Sequence, residues 1–273
     1  ATTPESRLIE LMTGRTLSKI YPHIDHTLGA VRLELEGLTL ASSPGSVAVR
    51  GASLQVRAGE IVGIAGLIGC GKSELGQACF GLQRLAGGTI RLNGQALRLR
   101  HPADAIRAGL WYSPADRKTD GLALALPAQH NISLSGLRWG SARGWWLRKR
   151  HERRALRECA QRVEFPAQRL GESVSNFSGG NQQKILLAKG LSQPINTYVF
   201  DEPTVGVDVG ARQSIYKCLA ELSQAGAAIV LTSSDLSELL GMTHRLLVMR
   251  NGELVGEFKR EDYDEHRILT YFF

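Results

Sequence analysis

The chain has 273 residues, 43% of them hydrophobic and 22% charged, the balance of a protein that buries a real core and not of a disordered, collagen-like or fibrous one. A net charge of +7 admits an acidic partner such as nucleic acid, a phosphate ligand or an anionic membrane surface, without choosing among them. Four cysteines (Cys70, Cys79, Cys159, Cys218) stand far apart with no Cys-x-x-Cys spacing, which suggests neither a zinc site nor a disulfide framework and fits a reducing compartment.

Residues 1–30 read as an attachment. Leu8, Ile9, Leu11 and Met12 fit one face of a short helix that Gly14 stops, and Tyr21–Gly29 is irregular. Residues 1–10 lack the apolar centre of a secretory signal, and no eighteen apolar residues run together anywhere. The expectation is a cytoplasmic protein whose contact with a membrane is peripheral. From Val31 the pattern changes: Val31, Leu33 and Leu35 alternate with Arg32, Glu34 and Glu36, the period of a half-buried strand. Val47–Val56 and Thr89–Leu92 also read as strands, giving an antiparallel β portion around the next feature.

That feature is Gly66-Leu67-Ile68-Gly69-Cys70-Gly71-Lys72-Ser73, a full match to G-x-x-x-x-G-K-[ST]. It follows the apolar run Ile61–Ala65 and precedes the helical stretch Ser73–Phe80, the strand–loop–helix setting such a loop requires. Glycines let backbone N–H groups curl around a β-phosphate while the helix N-terminus adds its partial positive charge. Lys72 reaches the β- and γ-phosphates and the Ser73 hydroxyl ligates Mg2+, so a nucleotide with Mg2+ is the expected ligand. Cys70 is read as a small filler within the loop, since the sequence places no base beside it.

Residues 130–177 are basic, contain Trp139, Trp145 and Trp146, and have helical composition from about Leu147 to Val163. The run Arg148–Arg154 is read as a solvated basic helix and not as a nucleic-acid or lipid surface. Next comes Ser178-Gly179-Gly180-Asn181-Gln182-Gln183-Lys184, which opens a predicted helix at Gln182–Leu191 and frees backbone N–H groups at its positive end. One phosphate loop cannot use both anion-binding ends, so the second must face the nucleotide of another domain. Tyr198-Val199-Phe200-Asp201-Glu202 is an apolar strand ending in two acids, Asp201 for the Mg2+ shell and Glu202 to polarise an attacking water. Short apolar runs at Ala227–Thr232 and Leu246–Met249 alternate with helical stretches, which predicts βαβ units and a parallel sheet. Asn251-Gly252 predicts a hairpin near the end. His23-Ile24-Asp25-His26 carries metal-ligand residue types but has no third His nearby and is read as a solvated loop.

With these residues in view, the chain resembles the nucleotide-binding domain of ABC transporters. It has a Walker A loop, an SGG signature, a Walker B strand, and Asp208 in Gly206-Val207-Asp208 where the D-loop lies. Asn176–Lys184 and Asp201-Glu202-Pro203-Thr204 through Ala211 look like the second half of tandem-ATPase proteins of bacterial sugar importers of the ribose, xylose, arabinose and galactose types. Asp116-Arg117-Lys118, Gly121-Leu122, Ser233-Ser234-Asp235 and Leu240-Gly241-Met242 are similar to that half, and Leu8–Arg15 to its connector. The resemblance fades after Phe258.

It implies an α/β P-loop fold with a parallel core, an antiparallel β subdomain and a helical signature subdomain at about 130–190. The domain bounds expected are a connector over 1–30, the ATPase over 31–258 and a tail over 259–273. It also implies a head-to-tail pairing with a first ATPase half around two ATPs, an integral membrane permease, and indirectly a periplasmic sugar-binding protein, with no nucleic acid partner. Ser178, Gly179, Gly180, Asn181, Gln182 and Asp208 then join Gly66, Gly69, Cys70, Gly71, Lys72 and Ser73 as the nucleotide-contacting set.

Three groups of a fully active member are missing. Ser234 stands where a His contacts the γ-phosphate, Ala115 follows Pro114 where a Gln or Glu is usual, and no Phe, Trp or Tyr occurs between Tyr21 and Phe80 to stack on adenine. Hydrolysis at the chain's own site is therefore expected to be weak. The alternatives are a non-transport ABC protein of the DNA-repair or ribosome-associated kind, whose long insertions or basic arms do not appear here, and a non-hydrolysing regulatory half.

Overall fold

Alternation at Val31–Leu40 becomes the first strand, β1, with Leu33 and Leu35 buried and Glu34 and Glu36 turned outward. The structure, a computed structural model, describes residues 21–24, 27–41, 48–135, 142–143, 146–147 and 149–273. The helix face read at Leu8–Met12, and Asp25, His26, Trp139 and Trp145, lie outside them.

After β1 come β2 (Ala52–Arg57), β3 (Ile61–Ala65), α1 (Lys72–Cys79), β4 (Leu85–Leu92), β5 (Gln95–Ala96), α2 (Pro102–Ala108), β6 (Leu110–Ser113) and a π-helical turn at Arg117–Gly121. Then follow α3 (Ala128–Leu134), the short pair β7 (Ala142–Arg143) and β8 (Trp146–Leu147), α4 (Lys149–Arg162), α5 (Gly179–Leu191) and β9 (Thr197–Asp201). The chain continues with α6 (Val209–Gln224), β10 (Ala228–Thr232), α7 (Leu236–Met242), β11 (Arg245–Arg250), β12 (Glu253–Lys259) and α8 (Glu265–Leu269).

One sheet is antiparallel in the order β2-β1-β4-β5, and a second runs β12-β11-β3-β10-β9-β6. Within the second, β11, β3, β10, β9 and β6 are mutually parallel and only β12 is antiparallel. The period of two along these strands divides the core. Val62, Ile64, Val199, Val230, Leu247 and Met249 face the antiparallel sheet, whose Leu33, Leu35, Val56 and Ile90 complete that cluster. Their neighbours Ile61, Tyr198, Phe200, Ile229, Leu231, Leu246 and Val248 face the opposite way. They meet the helical unit, where Leu156, Ala160, Val163 and Ile185 pack and Phe165 lies edge-on to Phe177 with ring centres 5.2 Å apart. Strands buried on both faces read as continuous apolar runs, which is how they appear in the sequence.

Two expected strands shift. The one read at Val47–Val56 begins only at Ala52, because residues 48–50 bond outside its ladder, Leu40 N–H to Val49 O at 3.0 Å and Arg50 N–H to Gly252 O at 2.9 Å. The one read at Thr89–Leu92 starts at Leu85, running through Gly87-Gly88, residues of poor strand propensity. The hairpin at Asn251-Gly252 joins β11 to β12, both turn residues at positive φ (50° and 84°) as a type I′ turn requires.

Residues near both ends of the described region pack onto the core. Ile24 is fully buried and its carbonyl accepts from His244 Nε2 at 2.8 Å, while His244 Nδ1 accepts from Ile61 N–H at 3.0 Å. Beyond β12, Ile268 is fully buried and the Tyr263 hydroxyl meets Thr243 Oγ1 at 2.6 Å. Among the described residues no helix is long and apolar enough to cross a membrane.

Candidate nucleotide-binding site

Parallel strands end together, and the crevice beyond their C-terminal ends is where α/β sheets bind ligands. Here the register sets Thr232 of β10 beside Ile64 of β3 and Asp201 of β9, and Ser113 of β6 beside Phe200. The loops that leave these four ends carry Gly66–Gly71, Glu202, Ser233-Ser234 and Pro114-Ala115.

The loop after β3 is pressed against the β11–β12 hairpin. A β-carbon at Gly66 would fall 2.2 Å from Met249 O and 2.8 Å from Cys70 Sγ, so no larger residue fits. Gly252 N–H donates to Cys70 O at 2.8 Å and holds the loop open. Cys70 is buried under it, and burial pushes its thiol above the usual range, which keeps it a packing group as the sequence indicated. Gly71 then starts α1, whose first-turn N–H groups have no acceptor within the helix and face the cavity end of the loop.

Lys72 is 5% exposed, yet its ammonium is held by Gly66 O at 2.7 Å, Ser233 O at 3.4 Å and Glu202 Oε1 at 3.6 Å. Asp201 is buried and takes three hydroxyl hydrogen bonds. Ser73 Oγ donates to its Oδ1 at 3.1 Å, Thr232 Oγ1 to the same oxygen at 2.6 Å, and the Tyr112 hydroxyl to Oδ2 at 2.8 Å. Burial, then the Asp201 charge, holds the Tyr112 hydroxyl far above its ordinary range, so it remains a donor. Glu202 adopts φ +47°, a backbone region rare outside glycine, with its N–H on Thr232 O at 3.0 Å. Its Oε2 accepts from Ser234 Oγ at 3.1 Å. Below it Thr204 Oγ1 donates to the fully buried Glu238 at 2.9 Å.

Gly69, Gly71, Lys72, Ser73, Glu202 and Ser234, with Ile68, Glu74, Ala115 and Val205, line one cavity of about 350 Å3. Ser234 and Ala115, the two residues singled out in the sequence as expected departures, thus both face it. The residue set fits a magnesium nucleotide. A loop that only glycine can form leads into orphan N–H groups, a buried ammonium stands by, and a hydroxyl and a carboxylate sit together as hard oxygen donors. Mg2+ commonly uses one or two carboxylates and takes its remaining oxygens from phosphates and water.

The other expected residues form a separate cluster. Ser178 caps α5, its Oγ accepting from Asn181 N–H at 3.5 Å, and Asp208 caps α6 through Ala211 N–H at 2.9 Å. A β-carbon at Gly180 would meet Ala211 Cβ at 2.5 Å and Asp208 Oδ2 at 2.9 Å, so the two caps are packed side by side. Ser178 and Asp208 are exposed. Gln182 faces the other way: it is buried and its amide donates to Val174 O at 3.3 Å and Phe177 O at 3.2 Å, bracing the turn before the helix. Among the described residues, none of 178–182 lines the cavity at Lys72.

Sequence reading missed Tyr112, Thr232 and Glu238. The polar ends of otherwise apolar strands were the available signal for the first two.

Known proteins similar to this chain show its family and its fold. The family described as ABC transporter matches residues 49–205, more than half of the chain. The ribose import ATP-binding protein RbsA 1 of Agrobacterium fabrum is 39% identical over 269 residues, covering 98% of this chain and 52% of that protein. The arabinose import ATP-binding protein AraG of Burkholderia pseudomallei is 39% identical over 271 residues, covering 99% and 53%. The chain thus spans about half the length of the curated relatives it matches. A nucleotide-free ATP-binding cassette from an ABC transporter superposes with a TM-score of 0.75 at 19% identity, over 88% of this chain and 95% of that one. A dimeric cassette in a post-hydrolysis state bound to ADP and Pi superposes with a TM-score of 0.72 at 20% identity, over 85% and 100%.

Proposed function

Since this chain belongs to the ABC transporter family, we propose that it is the ATP-binding half of a bacterial sugar importer, pairing with a first ATPase half and coupling MgATP to a membrane permease. The observation that carries the reading is the meeting of Ser73 Oγ with Asp201 Oδ1 at 3.1 Å beside the buried Lys72, with the end of α5 held on a separate surface. The names of the ribose and arabinose import relatives support the substrate class.

In this reading Gly69, Gly71, Lys72 and Ser73 turn their backbone N–H groups to the phosphates, the Cys70 N–H stays on Leu67 O at 3.2 Å within the loop, and Lys72 exchanges Gly66 O for a phosphate oxygen. Ser73 and Asp201 would hold Mg2+, which when bound neutralises charge on the β- and γ-phosphates. Tyr112 and Thr232 orient the Asp201 carboxylate. Glu202 orients a water and takes its proton. Ser234 donates its hydroxyl to the Glu202 carboxylate where a preorganised donor to the phosphates would serve, and loss of such a donor costs about 10²–10³ in rate. This site therefore binds and holds MgATP while turning over slowly, and Ser178, Gly179, Gly180 and Asn181, with Asp208 beside them, complete the partner half's site.

A cleft lined by Phe80, Leu82, Trp111, Pro114, Asp120 and Leu186, with Leu82 half exposed, is where the permease is proposed to dock. The chain works from the inner face of the membrane.

The test is nucleotide binding and turnover by the purified chain, alone and then with the partner half and permease. MgATP binding with little turnover alone, rising on assembly, is expected. Brisk, concentration-independent turnover by the lone chain contradicts the division of labour, and absence of MgATP binding contradicts the site.

A further inference from the structure

Three segments meet at one guanidinium. Arg117 begins the π-helical turn that follows Ala115, and Asp116 fixes the base of that turn by accepting from Lys118 N–H at 2.8 Å and Thr119 N–H at 3.2 Å. The Arg117 fork then reaches across to the loop between β9 and α6. Nη1 donates to Val205 O at 2.9 Å and Nη2 to Gly206 O at 3.3 Å. On the far side of the same contact lies the start of α5. A β-carbon at Gly179 would sit 2.7 Å from Arg117 Nη2 and 2.7 Å from Gly206 O, so the helix end approaches the fork as closely as it does only because that residue has no side chain.

Each segment has another engagement. The 114–121 stretch places Ala115 in the Lys72 cavity and Thr119, Asp120 and Gly121 in the cleft below Leu82. Val205 lines the Lys72 cavity, and the loop it belongs to runs from Glu202 to the Asp208 cap. The start of α5 is the exposed anion-binding end. A planar fork with two diverging donors can hold two successive carbonyls, whereas an ammonium presents a single charge point and cannot span them in the same way. Its positive charge, placed beside the N-terminal end of α5, also adds to the potential that end offers an anion.

Resting on the function proposed above, we propose that Arg117 is a positioning residue. It holds the 205–208 loop and the N-terminal end of α5 as one unit and links both to the segment that lines the cleft. Through that link Ser178–Asn181 are presented in the geometry that completes the partner half's site.

The experiment compares wild type, Arg117→Ala and Arg117→Lys in the transporter assembled with its partner half and permease. It reads ATP turnover, KM for ATP, MgATP affinity at the Lys72 site and thermal stability. Loss of a charged fork from two carbonyls is expected to lower kcat about 10- to 100-fold in Arg117→Ala, and less in Arg117→Lys. KM, MgATP affinity and the melting temperature should stay close to wild type, a split that a residue serving only to stabilise the fold would not produce. If Arg117→Ala does not fold, Arg117→Lys carries the test with the same split. Unchanged kcat in both variants overturns the proposal, and so does a fall in kcat that tracks a fall in melting temperature. A wild-type chain that binds no MgATP is a separate result, seen before any variant is made, and overturns the nucleotide-site reading together with this proposal.

Discussion

The two helix ends proposed to meet phosphates are built differently. At the end of α1, the loop, the buried Lys72 and a carboxylate held by three hydroxyls from three elements are in place within one chain. At the end of α5, Ser178 and Asp208 stand exposed with little beyond their own capping bonds. A site with its counter-groups present can bind on its own. On the proposed function, a helix end with its donors exposed and no Walker-type residues beside it is half of a site that a second surface completes. Binding and completion would then be separate tasks placed on separate elements, and substitutions should fall on one or the other.

The largest expected effect is at the self-sufficient end. Lys72→Ala removes a buried charged donor and leaves Gly66 O and Ser233 O unpaired, so MgATP affinity should drop by about 100-fold, read by nucleotide titration. Retained affinity would show that the phosphates do not sit at this loop. A smaller effect is expected from Tyr112→Phe, which takes one donor from a buried carboxylate. The Mg2+ concentration needed for nucleotide binding should rise by roughly tenfold, with turnover driven by the α5 end untouched.

The smallest effect concerns stability. Burial, the largest cause, holds Glu238 above the usual carboxylate range. Such an acid binds more protons folded than unfolded, so stability is full below its ordinary pKa and is lost as pH rises toward the raised value. Glu238→Gln keeps an acceptor for Thr204 and should flatten that decline, melting higher than wild type at neutral pH and no higher in acid. Parallel melting curves for the two proteins across pH would contradict this.

What could be read in the sequence was local along the chain. The loop at Gly66–Ser73, the acids after Tyr198–Phe200 and the cap at Ser178 each lie within a few residues, so spacing alone reveals them. The polar strand positions of Tyr112 and Thr232 did not by themselves assign them to the site, because they reach Asp201 through the strand order β10-β9-β6, which places residues far apart in the chain side by side. Arg117 was visible as part of a motif, but not its reach to Val205 and Gly206. Gln182 shows the limit of a motif read without a helix face: its position shares the inward side with Ile185 and Leu186, and there it braces Val174 and Phe177.

The central claim is that the end of α5 serves the working site while the site at Lys72 holds nucleotide and turns over slowly. It is tested most directly by measuring transport in the assembled importer carrying either Gly179→Asp or Glu202→Gln. An aspartate at 179 would crowd Arg117 and Gly206 O and set a negative charge where the partner's phosphate is proposed to arrive, so transport should be abolished. Glu202→Gln, acting at the site proposed to turn over slowly, should reduce transport only modestly. Equal and complete loss from both, at unchanged protein levels, would show that the two sites share the work and would contradict the account.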